Sequence, residues 1–421
     1  MDTLIKQALI VDPTSEFNGQ TKDILISGTT IREIADDIPS DGKKYHIVDE
    51  KGLCVSPGWM DTACRFGEPF YEEAETLESG ARAAVRGGFT AVALASPRSC
   101  PTDSRQKVEF FTEKEAQLPI HIHPVGTATK AGEGKAMAET YDMMQGGAVA
   151  FWDGRQIANN LIEQLVLEYN GSLGALTVTT PVDREVMHCG VAHEGVVSTT
   201  LGLHGIPDIA EDIAVARDIF LAEYTKAPLH IACVTTPGAV RMVREAQKKG
   251  VDVSCSVTPH HLLLDDEYLR DFDTRYKVLP PLRTKKHIAA LVKGMKEGTI
   301  GCIASDHTPV DIEDKKCEFE HAAYGTVGLQ TAFGAAWKAL SGQIDLQKMI
   351  ELISINPRRR FGVEVPSIIE GGLAEMTLFD PSARWTFAKD MIESKSQNSA
   401  FIGCELLGQP FAVYVKGKLV I

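Results

Sequence analysis

No pair of cysteines in this chain has CxxC spacing. The nine cysteines are odd in number and scattered through 421 residues, which argues against a disulfide framework. Cys233, Cys255 and Cys302 sit inside apolar, strand-like runs, as expected of buried free thiols in a reducing cytoplasm. No apolar run is long enough to cross a bilayer. Met1 leads directly into alternating apolar and polar residues, without a basic-then-apolar leader. Basic excess is also lacking: 43 Lys and Arg stand against 57 Asp and Glu, a net charge of -14. That balance argues against a nucleic-acid partner. With 44% hydrophobic residues, the chain has what a globular core needs and is not a disordered one.

Both ends read as short strands. Residues 4–11, 23–27, 30–34 and 45–49 are β-rich and punctuated by Gly, Asp and Pro, and so are 375–379, 410–416 and 418–421. The expectation is a small β-sandwich domain from residues 1–52 plus 366–421. The stretch between, 53–365, alternates. Compact apolar runs at 53–59, 89–95, 120–125, 148–152, 175–179, 229–233, 251–257 and 300–304 make eight candidate strands. Helical patterns separate them. Leu77, Ala81, Ala84 and Val85 share a helix face, as do Ile209, Ile213, Ala216 and Phe220. Asp208 and Glu211 suggest a capping box before the second. Eight strands alternating with helices predict an α/β fold, a (β/α)8 TIM barrel. The competing doubly wound open sheet lacks support, because no GxGxxG follows the first strand. In a barrel the chemistry lies at the C-terminal ends of the strands.

The first strand end reads Pro57-Gly58-Trp59-Met60-Asp61-Thr62-Ala63-Cys64-Arg65-Phe66-Gly67-Glu68-Pro69, followed by Glu78-Ser79-Gly80 and Gly87-Gly88-Phe89-Thr90. Further along come Thr258-Pro259-His260-His261-Leu262, Pro280-Pro281-Leu282-Arg283, Ser305-Asp306-His307-Thr308-Pro309 and Tyr324-Gly325-Thr326-Val327-Gly328. In this order, over nearly the whole chain, they resemble the dihydroorotases of the amidohydrolase superfamily. That family writes PGxxDxHxHxREP, E[ST]G and GGFT at the first strand and helix. The resemblance implies hydrolysis of a cyclic amide at two zinc ions, which lower the pKa of a bridging water. An aspartate after the last strand shuttles the proton.

The family's ligands are mostly replaced. Its first two histidines fall at Ala63 and Arg65. Alanine has no lone pair, and an arginine side chain is not deprotonated in a protein. Later histidines fall at Thr180 and Cys233, the carboxylate-binding arginine at Gly67, and the substrate asparagines at Arg98 and Leu279. Asp153 matches the bridging carboxylate, Asp306 the catalytic aspartate, and His307 follows it as in the family. The resemblance thus points to inactive dihydroorotase-like chains that partner aspartate carbamoyltransferase. It implies no retained zinc or other cofactor, a vestigial catalytic Asp306, and a homodimer or hetero-oligomer in the cytoplasm. Candidate pocket residues are Arg65, Arg98, Asp153, His261, Arg283 and His307. Two other readings stay open. One is an active zinc-dependent dihydroorotase with an altered metal site. The other is a sensor of small anions in which Arg98 and Arg283 grip the ligand.

Without metal, Asp153 and Asp306 are two anions facing each other at a barrel mouth. Arg65 either neutralises one or both of them or reaches into solvent. Blander roles are expected elsewhere. His121 and His123 are strand residues on one face, and His260 serves structural hydrogen bonding as readily as it lines a pocket. His193 and Glu194 are loop residues, Arg358 to Arg360 complement a helix dipole, and Lys315 and Lys316 are solvated.

Overall fold

The computed structural model describes residues 2–40, 45–96 and 100–421. Terminal strands β1 (Asp2–Ile10), β2 (Thr21–Ser27), β3 (Thr30–Ala35), β4 (Tyr45–Val48) and β5 (Cys54–Pro57) come first. The central strands follow: β6 (Trp59–Arg65), β7 (Phe89–Ala95), β8 (His121–Gly126), β9 (Ala150–Phe151) and β10 (Leu176–Thr179). After a small pair, β11 (Ala192–His193) and β12 (Gly205–Ile206), they resume with β13 (Leu229–Ile231), β14 (Val253–Val257) and β15 (Cys302–Ile303). The chain ends on β16 (Met376–Thr386), β17 (Glu405–Val415) and β18 (Lys418–Val420).

Strands β6 to β10 and β13 to β15 form one parallel sheet in chain order. Parallel bridges from Cys64 to His307 and from His307 to Thr326 link its first strand to the segment after its last. The result is a nearly closed eight-stranded barrel. Its interior is filled by small side chains, among them Ala63, Ala93, Ala232, Cys233 and Ala304.

The terminal strands form the second sheet, in the order β18-β17-β16-β5-β1-β2-β3, with β4 also on β1. Ile5, Ile24, Ile26, Val55, Met376 and Leu378 are buried in its core. Burying each side chain of that size contributes about 1.5–3 kcal/mol. Trp59 joins the two units. Its ring stacks on Phe333 at 4.5 Å and meets Phe379 of β16 edge-on at 5.4 Å. Arg358 adds a buried tie: it donates to Gly58 O at 3.0 Å and pairs with Glu375. Arg358 also stands in the last turn of the helix Asn356–Arg360, with Arg359 and Arg360, as the sequence suggests.

Two other expectations are corrected. The run at 53–59 is not the first barrel strand. Residues 54–57 pair with β16 of the terminal sheet, and the barrel begins with Trp59–Arg65. Buried Asp61 and Thr62 make that strand look like a loop in sequence. On the helix Ile209–Thr225 the apolar stripe faces outward: Ile209, Ile213 and Phe220 are exposed. The inward face carries Ala210, Ala214, Val215, Ile219 and Ala222, together with Glu211 and Asp218. Small residues pack there; Glu211 accepts from Thr235 N after β13, and Asp218 accepts from Arg217 beside it on the same helix. Asp208 caps nothing with its side chain.

Candidate active site at the barrel mouth

Four segments meet at the mouth: the end of β6, the loop after β9, the turn after β13 and the loop after β15. Two of them hold non-glycine residues in the left-handed region, Cys233 at φ 59° and Asp306 at φ 48°. Such backbone costs on the order of 1–3 kcal/mol and clusters at functional sites.

Below the mouth, Asp61 is fully buried. It accepts hydrogen bonds from Ser305 N at 2.6 Å and Ser305 Oγ at 2.8 Å. Burial pushes its carboxyl up, against those hydrogen bonds. The pair fixes the strand that presents Asp306.

Arg65 closes the mouth. Its Nη1 lies 3.6 Å from Asp306 Oδ1, and both side chains are 12% exposed. The guanidinium carbon sits 4.7 Å from the centroid of the Trp152 ring, a cation–π contact. The same nitrogen is 3.5 Å from Thr308 Oγ1. Gly154 makes room for it: a Cβ there would stand 2.9 Å from Arg65 Nη2, and φ is +67°. Arg65 therefore neutralises Asp306 rather than reaching into solvent.

Asp153 is held differently. Its carboxylate accepts from Ala128 N at 2.8 Å, Thr129 N at 3.0 Å and Thr129 Oγ1 at 2.5 Å. Burial raises its pKa against these bonds. Arg65 does not pair with it. The two aspartates are thus separately satisfied, one by an ion pair and one by a loop.

These residues do not fit a binuclear zinc centre. Ala63 is packed among apolar side chains of the barrel. Thr180 Oγ1 accepts the Trp152 indole N–H at 2.9 Å. Cys233 is buried, and burial pushes its thiol well above the usual range, away from the thiolate a metal requires. A guanidinium on Asp306 opposes a dication at the same carboxylate.

Three of the expected pocket residues face elsewhere. His307 lies beneath the mouth: its Nδ1 accepts from Gly328 N at 3.2 Å and Leu329 N at 3.4 Å. Its Nε2 therefore carries the proton toward Glu75, 3.2 Å away. Glu75 also accepts from Lys395 N at 3.0 Å and from the hydroxyls of Ser79 and Ser394. Burial opposes its ionisation, yet these hydrogen bonds hold its pKa low. His261 is buried between Thr258 Oγ1 at 2.7 Å and Pro280 O at 3.0 Å, its pKa pushed down to about 4 mainly by burial. Arg283 is locked into a buried network. It donates to Thr235 Oγ1 at 2.6 Å, Asp208 Oδ1 at 2.7 Å, His193 Nδ1 at 3.1 Å and Glu211 Oε2 at 3.3 Å. Arg98 lies outside the described residues.

Two blander expectations also change. Lys315 is buried rather than solvated, with Nζ donating to Thr274 O at 2.8 Å. His193 is buried and not an ordinary loop residue. Its ligand atom lies within 4.8 Å of those of Asp208 and His287, the trio among the described residues with metal-like spacing. Arg283 already donates to two of the three, so the group is an ion-pair network rather than a metal centre.

Sequence reasoning missed Asp61, Glu75, Arg155 and Arg184. Asp61 was legible as the aspartate of the PGxxD motif. Arg155 follows Asp153-Gly154 directly. Nothing in the sequence places Glu75 or Arg184 near the mouth.

A family model described as dihydro-orotase-like matches residues 52–238. The chain is 36% identical over 424 residues to a protein named dihydroorotase from Syntrophus aciditrophicus (strain SB), covering 100% of this chain and 99% of that one. It is 35% identical over 424 residues to one of the same name from Geobacter metallireducens (strain ATCC 53774 / DSM 7210 / GS-15), with the same coverage. Among solved structures, the dihydropyrimidinase of Brevibacillus agri NCHU1002 superposes with a TM-score of 0.82 at 20% identity, covering 100% of this chain and 95% of that one. The L-hydantoinase of Arthrobacter aurescens gives 0.83 at 20% identity, covering 99% and 95%. At that identity the structural likeness is one of fold.

Proposed function

The chain belongs to the dihydroorotase-like family of the amidohydrolase superfamily, and on that premise we propose that it works in pyrimidine biosynthesis without hydrolysing a cyclic amide. It acts instead as a cytoplasmic assembly partner of aspartate carbamoyltransferase, as a homodimer or within a hetero-oligomer, and carries no zinc. Asp306 is the vestige of the catalytic acid–base.

The observation that supports this reading is Arg65 on Asp306. Hydrolysis needs a hydroxide held against the substrate carbonyl, and a cation of the protein itself stands on the carboxylate that would shuttle its proton. Where chemistry has left a barrel, the remaining use is its surface. Among the described residues, no helix is long and apolar enough to cross a membrane. Co-expression with the aspartate carbamoyltransferase of the same organism tests the partnership. The two chains co-elute at micromolar concentration; separate elution contradicts it.

The names of the relatives favour a second reading, an active dihydroorotase with an altered centre. Turnover of dihydroorotate together with bound metal distinguishes the two.

A further inference from the structure

Four helices lie side by side along one flank of the barrel: α1 (Asn160–Ser172), α2 (Ile209–Thr225), α3 (Pro237–Lys248) and α4 (Lys285–Lys296). Ile209, Ile213, Ala216, Phe220 and Tyr224 face outward on α2. Steps of four, three, four and four residues keep them in one stripe, which runs about 25 Å along the helix. Ile209, Phe220 and Tyr224 are more than half exposed, and so is Leu161 in the first turn of α1. Ala216 leaves a notch in the middle of the stripe, between Ile213 and Phe220. The inner face of α2 already packs through Ala210, Ala214, Val215, Ile219 and Ala222, so the fold makes no use of the outer one. Single exposed apolar side chains are ordinary, but a continuous set of them marks an interaction surface.

Charge beside the stripe is of one sign. Helices α3 and α4 carry Arg241, Arg244, Lys248, Lys285, Lys286, Lys293 and Lys296 against one carboxylate, Glu245, in a chain whose net charge is -14. Glu297 lies 2.8 Å from Arg244 and 3.8 Å from Lys293, and Asp265 lies 3.8 Å from Lys285. Those pairs leave Arg241, Lys248, Lys286 and Lys296 without a carboxylate in ion-pair distance among the described residues. The basic helices border one side of the stripe, where Thr236, just before α3, donates to Asp212 Oδ1 at 2.6 Å. On the other side, where Arg217 donates to Ile157 O at 2.7 Å, α1 adds the apolar Leu161. The exposed carboxylates of α1 and α2 are Glu168 and Glu223.

We propose that this flank is a docking face for an acidic amphipathic helix of a partner protein. The helix lays its apolar side along the α2 stripe and turns its carboxylates toward α3 and α4. A straight stripe with a notch accepts the ridge of another helix, and an apolar centre with a charged rim is the anatomy of a protein interface. A second copy of this chain fits less well: antiparallel pairing about a two-fold axis sets the basic helices of one copy beside those of the other. Nucleic acid offers nothing to the apolar stripe, and an anionic membrane is repelled by the negative charge of the chain as a whole. The proposal is independent of the transcarbamoylase. Failure to co-elute with that enzyme leaves the docking face intact, and failure of the docking face leaves the assembly reading intact.

The test is fluorescence anisotropy of the whole chain with a labelled synthetic helix of about 18 residues, the length of α2 at 1.5 Å per residue. The peptide carries leucine along one stripe and glutamate on its flanks. Two control peptides replace the glutamates by lysine or the leucines by serine. The glutamate-flanked peptide binds saturably and weakens as salt is added, while neither control binds. Phe220→Ser weakens it about tenfold, the loss of one aromatic anchor, with the melting temperature unchanged. Arg241→Glu/Lys248→Glu weakens it as much and admits the lysine-flanked peptide. Arg32→Gln, on the terminal sheet, changes nothing. No saturable binding overturns the proposal, and so does equal binding of the lysine-flanked peptide or wild-type affinity in Phe220→Ser. Sedimentation velocity and flotation with phosphatidylglycerol vesicles test the other occupants. A dimer that Phe220→Ser disperses, or vesicle binding that it abolishes, assigns the face to a second copy or to lipid and overturns the partner helix.

Discussion

The guanidinium of Arg65 lies 3.6 Å from the carboxylate of Asp306, across the end of the barrel from one strand to its neighbour around the ring. Its parent family is expected to place metal chemistry there. The pair is mostly desolvated, and removing Arg65 takes a charged partner away from Asp306.

Arg65→Ala therefore lowers the melting temperature. A loss of about 1–3 kcal/mol, the scale of removing one charge-assisted interaction, corresponds to about 1–3 degrees in a chain of this size. The double variant Arg65→Ala/Asp306→Ala recovers part of the loss. Thermal denaturation of the two singles and the double checks this; additive losses contradict a direct pair.

Gly154→Ala is destabilising for two reasons at once. The residue has φ +67°, and its new Cβ would stand 2.9 Å from Arg65 Nη2. A cost of about 1–2 kcal/mol follows from the backbone alone. Urea unfolding gives the value, and an unchanged midpoint contradicts the close packing around Arg65.

Acid stability is set by buried neutral histidines. Burial pushes His230 down to about 3, and His123, His193 and His261 to about 4. Unfolded, each takes up its proton near pH 6.5. Between there and the folded values the unfolded chain binds more protons, so stability falls as pH falls, by about 1.4 kcal/mol per pH unit per histidine. Their contribution is complete above pH 6.5. Urea midpoints from pH 7 to pH 4.5 decline steeply, and His230→Gln, which keeps hydrogen-bonding atoms near Ser254 and Ser256, makes the decline shallower. An equal slope in the variant contradicts this account.

Most of the barrel was legible because parallel strands buried on both faces read as apolar runs. Residues 89–95 match β7 end to end. The first strand escaped, because Asp61 and Thr62 look like loop residues until Ser305 is seen to satisfy Asp61. The stripe Ile209, Ile213, Phe220 misled for the opposite reason. Periodicity reports that one face is apolar, not that the protein covers it, and here alanine and valine fill the inner face. Phe220→Ser should thus leave the melting temperature within about a degree, as an exposed site does; a drop of several degrees places the side chain in the core. At the site, the loss of ligands could be read from Ala63 and Arg65 alone. Which carboxylate Arg65 would choose could not, since that depends on the 128–129 loop folding over Asp153.

The most direct test is elemental analysis of the chain expressed with added zinc, run beside a dihydroorotate hydrolysis assay on the same sample. The account predicts well under about one zinc per chain, against the two a binuclear site holds, and turnover no faster than the blank. Two tightly bound zinc ions with steady hydrolysis of dihydroorotate would contradict it.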